Sequence, residues 1–220
     1  MTNAQVTALT SGLIAFIVVW ALILVPQLIS QLARHGRFHL RGLVTTAAVT
    51  CYACMALAVV LLPLPGPNSP RLSQTVQLHP FQWILDIHEE LLKHGLPLSD
   101  WFTTQTFQQA MMNVLLFVPL GVFARILWRR GLIGTALIGF AASLLIEITQ
   151  LTANFGTAPF VYRIFDVDDL MTNTTGAMLG WVFGALLLTL RRTTATKTSA
   201  TSAIDAQPAR RERVHLAQTR

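Results

Sequence analysis

Five apolar segments, each about 20 residues long, constrain the fold of this chain more than any other feature of its sequence. A helix needs about 20 predominantly apolar residues to cross the hydrocarbon core of a bilayer. Only 12% of the residues are charged, against about 25% in a typical soluble domain. The sequence therefore predicts an all-α, polytopic bundle of about five transmembrane helices, in a multi-pass protein of the cell membrane. The predicted spans lie at about residues 9–30, 43–62, 108–127, 132–151 and 169–190.

The segments divide the chain into four regions. Two N-terminal transmembrane helices are expected within residues 1–62, and an outer loop follows at residues 63–107. A core of three helices is expected at residues 108–190. Residues 191–220 are rich in Thr, Ala and Arg and poor in apolar residues, so we expect a disordered basic tail.

Basic residues predict the orientation of the bundle. Thirteen of the 16 Lys and Arg residues lie in two alternate loops and the tail, whereas Arg71, Lys93 and Arg163 lie on the other side. Cytoplasmic loops carry the excess of Lys and Arg, so we expect the N-terminus outside and the C-terminus in the cytoplasm. Topology thus accounts for the net charge of +6, and we expect no nucleic-acid partner.

The outer loop contains a segment with helical periodicity, FQWILDIHEELLKHG at residues 81–95. Its charged side chains lie away from an apolar stripe of Phe81, Ile84, Ile87 and Leu91. Two interpretations stay open. The helix either lies in the headgroup plane, anchored by Trp83 and Trp101, or packs on the bundle as an ordinary loop helix.

The two cysteines, Cys51 and Cys54, form a C-x-x-C pair inside the second apolar segment. A structural zinc site needs four ligands, and the sequence holds no second pair. We therefore interpret both thiols as small packing residues, and we expect neither a metal nor a cofactor.

Three polar residues inside the predicted spans share a depth. Asn113, Glu147 and Asn173 each lie about 6–8 Å below the outer boundary, at a rise of about 1.5 Å per residue. A carboxylate inside a span is costly, so Glu147 should face a polar cavity or a partner. We predict an outer-face ligand site formed by Asn113, Glu147, Gln150, Arg163, Asp166, Asp169 and Asn173.

Small residues continue the polar faces of the fourth and fifth spans. Repeated small residues at four-residue spacing let helix backbones approach closely. The predicted packing residues are Gly139, Ser143, Gly176, Gly180 and Gly184.

A structural interpretation of the acidic cluster stays open beside the functional one. The sequence DVDD at residues 166–169 is also typical of a cap at the positive N-terminal end of a helix. In that interpretation Arg163 bridges one of the aspartates, and the cluster binds nothing.

Three blocks of sequence, in this order and spacing, carry a family resemblance: NVLLFVPLGVF, SLLIEITQL and RIFDVDDLMTNTTGAMLG. Together they resemble the VanZ-like family of bacterial membrane proteins, over roughly residues 108–185. The resemblance implies a multi-pass protein of the cell envelope. The namesake of the family lowers susceptibility to teicoplanin, a glycopeptide antibiotic that bears a lipid.

We expect a binding or shielding protein rather than an enzyme. Its expected partners are membrane lipids and a lipid-linked envelope precursor or lipoglycopeptide, and homo-oligomerisation stays open. The alternative is an enzyme that acts on a lipid-linked substrate through Glu147 as a general base, or through a cation held by Asp166, Asp168 and Asp169. A carrier that uses Glu147 as a proton site is a weaker third hypothesis, because the sequence shows no inverted repeat.

Overall fold

The computed structural model describes the backbone of residues 3–66 and 69–218 and the side chains of residues 6–66 and 69–192. Within these ranges the chain forms helices, one 3-10 helix and two short strands. The helices are α1 (Asn3–His35), α2 (Leu40–Leu61), α3 (Gln82–His94), α4 (Gln105–Ile126), α5 (Leu132–Leu151), the four-residue α6 (Ala153–Gly156) and α7 (Val167–Gln218). The 3-10 helix is Leu98–Thr103, and the strands are β1 (Val76–Gln77) and β2 (Phe165–Asp166).

Five of the described helices contain a segment long and apolar enough to cross a membrane. The prediction of an all-α bundle with five spans is therefore confirmed. Helices α2 and α5 finish, and α4 and α7 begin, at one end of this bundle, which we call the site end. The membrane-spanning segments are Val6–His35, Leu40–Leu61, Gln105–Ile126, Leu132–Leu151 and Val167–Arg192.

Helix α7 extends to Gln218. The segment from residue 191 is rich in Thr and contains Pro208, both poor helix formers, and the disordered basic tail stays a prediction.

Helices α4 and α7 approach each other at glycines. Gly176 of α7 lies against the carbonyl oxygen of Val114, and Gly180, one turn later, lies against that of Val118. A Cβ atom at either glycine would overlap the facing carbonyl oxygen. Gly121 provides the same clearance on α4. Backbone contact of this kind is the known use of small residues at helix interfaces in membranes.

Helix α5 packs against another face of α7. A Cβ on Gly139 would lie 2.7 Å from the Cβ of Ala177, and Ser143 is completely buried. Gly184 lies near the other end of the span, where the side chain of Arg125 covers it. The close packing of α4, α5 and α7 fixes the positions of the polar residues at the site end.

Helix α3 extends across the site end from α7 to α4. Asp168 at the start of α7 accepts hydrogen bonds from the N-terminus of α3, and Glu90 accepts hydrogen bonds from the first residues of α4. Trp83 and Glu90 are about 10 Å apart along the axis of α3. The axes of two packed helices, such as α7 and α4, usually lie roughly 8–10 Å apart, so α3 has the length needed to reach from one to the other. Each end of α3 is thus tied to a different span.

The buried face of α3 supports the interpretation of this segment as an ordinary loop helix that packs on the bundle. Ile87 and Leu91 pack into the bundle, whereas Phe81 and Ile84 of the predicted stripe are exposed. A position of α3 in the headgroup plane stays a prediction. Strands β1 and β2 pair in parallel beside α3, and this pairing joins the outer loop to the segment before α7.

The glycine contacts predict opposite effects for two Gly→Ala substitutions. Gly180→Ala should destabilise the protein by about 1–3 kcal/mol, because the new methyl group meets a backbone oxygen that cannot rotate away. Gly134→Ala should be neutral or stabilising by up to about 1 kcal/mol, since its Cβ would meet only the Cβ of Arg130, at 3.8 Å. Thermal unfolding of both variants in detergent tests this. An equal melting temperature for the two variants would contradict the close approach of α4 and α7.

Candidate ligand-binding site

Three adjoining cavities lie at the site end, and Gln109 and Asp169 line all three. The central cavity has a volume of about 180 Å³, and the two flanking cavities have about 250 and 210 Å³. The polar and charged residues that line the central cavity are Gln109, Asn113, Glu147, Gln150, Arg163, Asp169 and Asn173. Six of these seven belong to the predicted ligand site. The remaining predicted residue, Asp166, lines both flanking cavities.

The C-terminal end of α2 forms part of this site through its backbone. The last carbonyl groups of a helix have no partner within the helix, and Pro63 cannot donate a hydrogen bond to them. Side chains from the end of α5 and the following segment donate instead. Gln150 donates to the carbonyl of Val60 at 3.3 Å, and Arg163 donates to those of Val59 and Leu62 at 3.4 and 3.3 Å.

A left-handed turn brings two further donors to the same helix end. Ala153, Asn154 and Phe155 have φ angles of 51°, 54° and 55°, which are unfavourable for residues with a Cβ atom. The turn places the amide of Asn154 2.8 Å from the hydroxyl of Tyr162. That hydroxyl donates to the carbonyl of Leu61 at 2.8 Å. The strained turn thus helps to cap α2.

Arg163 therefore has a different partner from the one expected. The sequence predicted a carboxylate as its partner, but its described hydrogen bonds go to the backbone carbonyls of Val59 and Leu62. A cation at the C-terminal end of a helix interacts favourably with the helix dipole. Its guanidinium group nevertheless lines the central cavity beside Glu147 and Asp169, so it still contributes positive charge there.

Asp168 faces neither water nor the central cavity. Its side chain is 4% exposed, and its two carboxylate oxygens accept hydrogen bonds from the backbone N–H groups of Phe81 and Trp83 at 2.6 and 3.0 Å. These groups belong to the start of α3, where the N–H groups have no partner within the helix. Asp168 thus attaches the outer loop to the bundle.

Glu90 has the corresponding role at the start of α4. It accepts hydrogen bonds from the backbone N–H groups of Gln105 and Thr106 at 2.6 and 3.1 Å, and from the Thr106 hydroxyl at 2.9 Å. The two backbone hydrogen bonds are the largest cause that lowers the pKa of Glu90 below its ordinary value. The carboxylate form is therefore favoured in the folded protein.

Asp166 directly precedes α7, and its side chain accepts a hydrogen bond from the N–H of Asp168 at 2.8 Å. This is an N-cap interaction, as the structural interpretation of DVDD expected. The backbone N–H of Asp166 donates to Oε2 of Glu147 at 3.0 Å, and the side chain of Glu147 is only 1% exposed. Burial is the largest cause of a raised pKa of Asp166, and the carboxylates of Asp168 and Asp86 raise it further.

A second set of polar contacts joins the three core helices below the caps. The amide of Asn113 on α4 donates to Oδ1 of Asp169 on α7 at 2.5 Å. The amide of Asn173 donates to the hydroxyl of Ser143 on α5 at 2.9 Å, and that hydroxyl donates to the carbonyl of Asp169 at 3.4 Å. The Oδ1 atom of Asn173 is buried, and no partner for it lies in the described part of the chain.

Several residues of this site were absent from the prediction. Gln109 precedes Asn113 by four residues, so a search for polar residues on the same helix face could have found it. Trp83 and Asp86 of α3 line a flanking cavity, but nothing in the local sequence indicates which end of the bundle α3 covers. The role of Glu90 could not be predicted, because a residue that caps a helix from another segment stands at no fixed distance from that helix in the sequence.

The acidic residues face different directions. Asp168 is bound to the start of α3, Asp166 is bound to the start of α7, and Asp169 is bound to Asn113. Among the side chains described, no group of three or more His, Cys, Asp or Glu residues is arranged to hold a metal ion. Glu147 and Asp169 are the two acidic residues in the described lining of the central cavity.

The family model described as VanZ/LLP1 matches residues 49–188. The chain belongs to the VanZ/LLP1 family. The VanZ/LLP1 match includes most of α2 and the whole outer loop, and so extends well beyond the residues 108–185 from which the resemblance was drawn. Helix α2 contributes carbonyl groups to the site, and backbone groups leave no motif in a sequence. No curated protein and no solved structure matches the chain.

The cap at the start of α4 gives a prediction about pH. Glu90→Gln should destabilise the protein by about 1 kcal/mol near neutral pH, the usual cost of losing a helix cap. Because folding lowers the pKa of Glu90, its stabilisation is complete above the unfolded-state pKa and is lost as the pH falls through the folded-state pKa. The difference in melting temperature between wild type and Glu90→Gln should therefore shrink as the pH falls below about 4.5.

Glu89→Gln provides the control, because Glu89 is an exposed neighbour on the same helix. It removes the same charge without affecting the cap, and its melting temperature should follow that of the wild type. A difference for Glu90→Gln that stays constant down to pH 3 would contradict the cap.

Proposed function

We propose that this VanZ/LLP1 protein binds the polar headgroup of a lipid-anchored ligand of the cell envelope, with its site end facing outward. The observation that carries the proposal is the composition of the central cavity. Seven polar or charged side chains, among them Glu147, Asp169 and Asn173, line it together with four apolar side chains. Such a lining suits a ligand with a polar head and an apolar attachment. The apolar residues are Val59, Val60, Leu116 and Ile146.

The size of the cavity supports a headgroup rather than a whole ligand. Sites for drug-sized molecules have roughly 300–1,000 Å³, whereas the central cavity has about 180 Å³. A lipid chain or a glycopeptide scaffold would therefore stay outside, in the bilayer or above it. Binding at the membrane boundary also leaves the apolar chain in lipid, where it incurs no cost of transfer to water.

The outward orientation of the site rests on the distribution of basic residues. Arg71, Lys93 and Arg163 are the Lys and Arg residues at the site end, and thirteen others lie in the loops and tail of the opposite side. The positive-inside rule then places the opposite side in the cytoplasm. A ligand of the cell envelope would reach the site from outside without crossing the membrane.

The geometry favours binding over catalysis on a lipid-linked substrate through a bound cation. That form of the alternative requires Asp166, Asp168 and Asp169 to converge on the cation. Asp168 is instead occupied by α3, and Asp166 caps α7. Glu147 and Asp169 therefore remain in the central cavity without the other two carboxylates, and they serve there as hydrogen-bond acceptors.

A lower susceptibility to lipid-bearing glycopeptides would follow if the bound or shielded ligand is the antibiotic or its target. Expression in a sensitive Gram-positive host should then raise the teicoplanin concentration that inhibits growth. Glu147→Gln and Asp169→Asn should return it to the empty-vector level, because each substitution replaces a cavity carboxylate by an amide. The inhibitory concentration and the membrane abundance of each variant are measured together.

Glu89→Gln serves as the control, since it removes an exposed carboxylate outside the three cavities. It should protect as well as the wild type. Loss of protection at wild-type abundance supports a ligand site, whereas disappearance of both cavity variants from the membrane would show a structural role. Absence of protection by the wild type in this host would count against the resistance role.

A further inference from the structure

Acidic side chains outnumber basic ones around the three cavities. The described residues that line the cavities include one guanidinium group, that of Arg163, and five carboxyl groups. The guanidinium group already donates to the carbonyls of Val59 and Leu62 at the end of α2. Two of the carboxyl groups, those of Glu147 and Asp169, line the central cavity, in a region of low dielectric constant where charge interactions are strong. The other three are those of Asp86, Asp166 and Asp168.

The hydrogen bonds of Ser143 fix the orientation of the Asn173 amide. A serine hydroxyl has a single hydrogen to donate, and Ser143 donates it to the carbonyl of Asp169. Ser143 must therefore accept from Asn173, which turns the NH₂ group of Asn173 toward Ser143. The other side of the amide, Oδ1, is left as a buried acceptor that has no partner among the described residues.

Asn173 and the two cavity carboxylates point to one ligand chemistry. Asn173 is 4% exposed and lines the central cavity together with Glu147 and Asp169. An unpaired buried acceptor is costly, so a ligand that donates to Oδ1 would gain the free energy now lost there. A ligand that also carries positive charge would offset the buried carboxylates.

On the basis of the proposed headgroup site, we propose that the central cavity binds a primary ammonium group, such as that of an aminoethyl headgroup. An ammonium group has three N–H donors, and three residues of the cavity offer acceptors: the amide oxygen of Asn173 and the carboxyl oxygens of Glu147 and Asp169. The charge-assisted hydrogen bonds to the carboxylates would be the strongest of these. A quaternary trimethylammonium group has the same charge but no N–H donor, and it should bind poorly.

Isothermal titration calorimetry on the full-length chain in lipid nanodiscs tests the proposal. The probes are short-chain phosphatidylethanolamine, phosphatidylcholine and phosphatidylglycerol, together with free ethanolamine. We expect the aminoethyl lipid to bind at least about tenfold more tightly than the trimethyl lipid, a difference typical of a lost charge-assisted hydrogen bond. Asp169→Asn and Asn173→Ala should remove this preference, and Glu89→Gln should retain it.

The outcomes separate this inference from the proposed function. Preferred binding of phosphatidylglycerol that is lost in Asp169→Asn would overturn the ammonium group but keep a headgroup site. Binding of free ethanolamine as tight as that of the lipid would support the ammonium group and show that the lipid attachment adds nothing. If no probe binds, or if binding is unchanged in Asp169→Asn, both the inference and the proposed site are wrong. Should Asn173→Ala not fold, Asp169→Asn alone decides.

Discussion

The structure depends on one constraint: every helix that ends at the membrane boundary leaves backbone groups without partners, and lipid cannot supply them. In this protein, side chains from other segments supply them. Arg163 and Gln150 cap the end of α2, Asp168 caps α3 and Glu90 caps α4. Each cap therefore also joins two elements, so the caps that complete the helices assemble the site end.

The same constraint determines which polar groups are left for a ligand. The glycine contacts bring α4, α5 and α7 so close that Asn113, Ser143, Asp169 and Asn173 bond to one another across the interfaces. Asn113, Ser143 and Asn173 donate in these bonds, and Oδ1 of Asn173 has no partner among the described residues. Asn173 lines the central cavity with the acidic side chains of Glu147 and Asp169, and this set of acceptors is the physical basis of the proposed ligand.

The sequence was informative about apolar segments of regular length and about charged residues that are costly to place in lipid. Five spans could be predicted because 20 apolar residues have few other uses, and Glu147 could be assigned to a cavity because a charge in a span requires one. The partner of Arg163 could not be predicted, since a backbone carbonyl has no sequence signature. The contact between Asp168 and Phe81 links residues far apart in the chain.

Access to the cavity from outside the cell is the central claim of this account, and cysteine labelling at Gln109 tests it most directly. Gln109 is exposed and lines all three cavities. Gln109→Cys would be made in a chain with Cys51 and Cys54 replaced by alanine, and intact cells would be treated with a membrane-impermeant maleimide. We expect the maleimide to label Gln109→Cys in intact cells. Labelling that appears only after the membrane is permeabilised would place the site on the cytoplasmic side and contradict it.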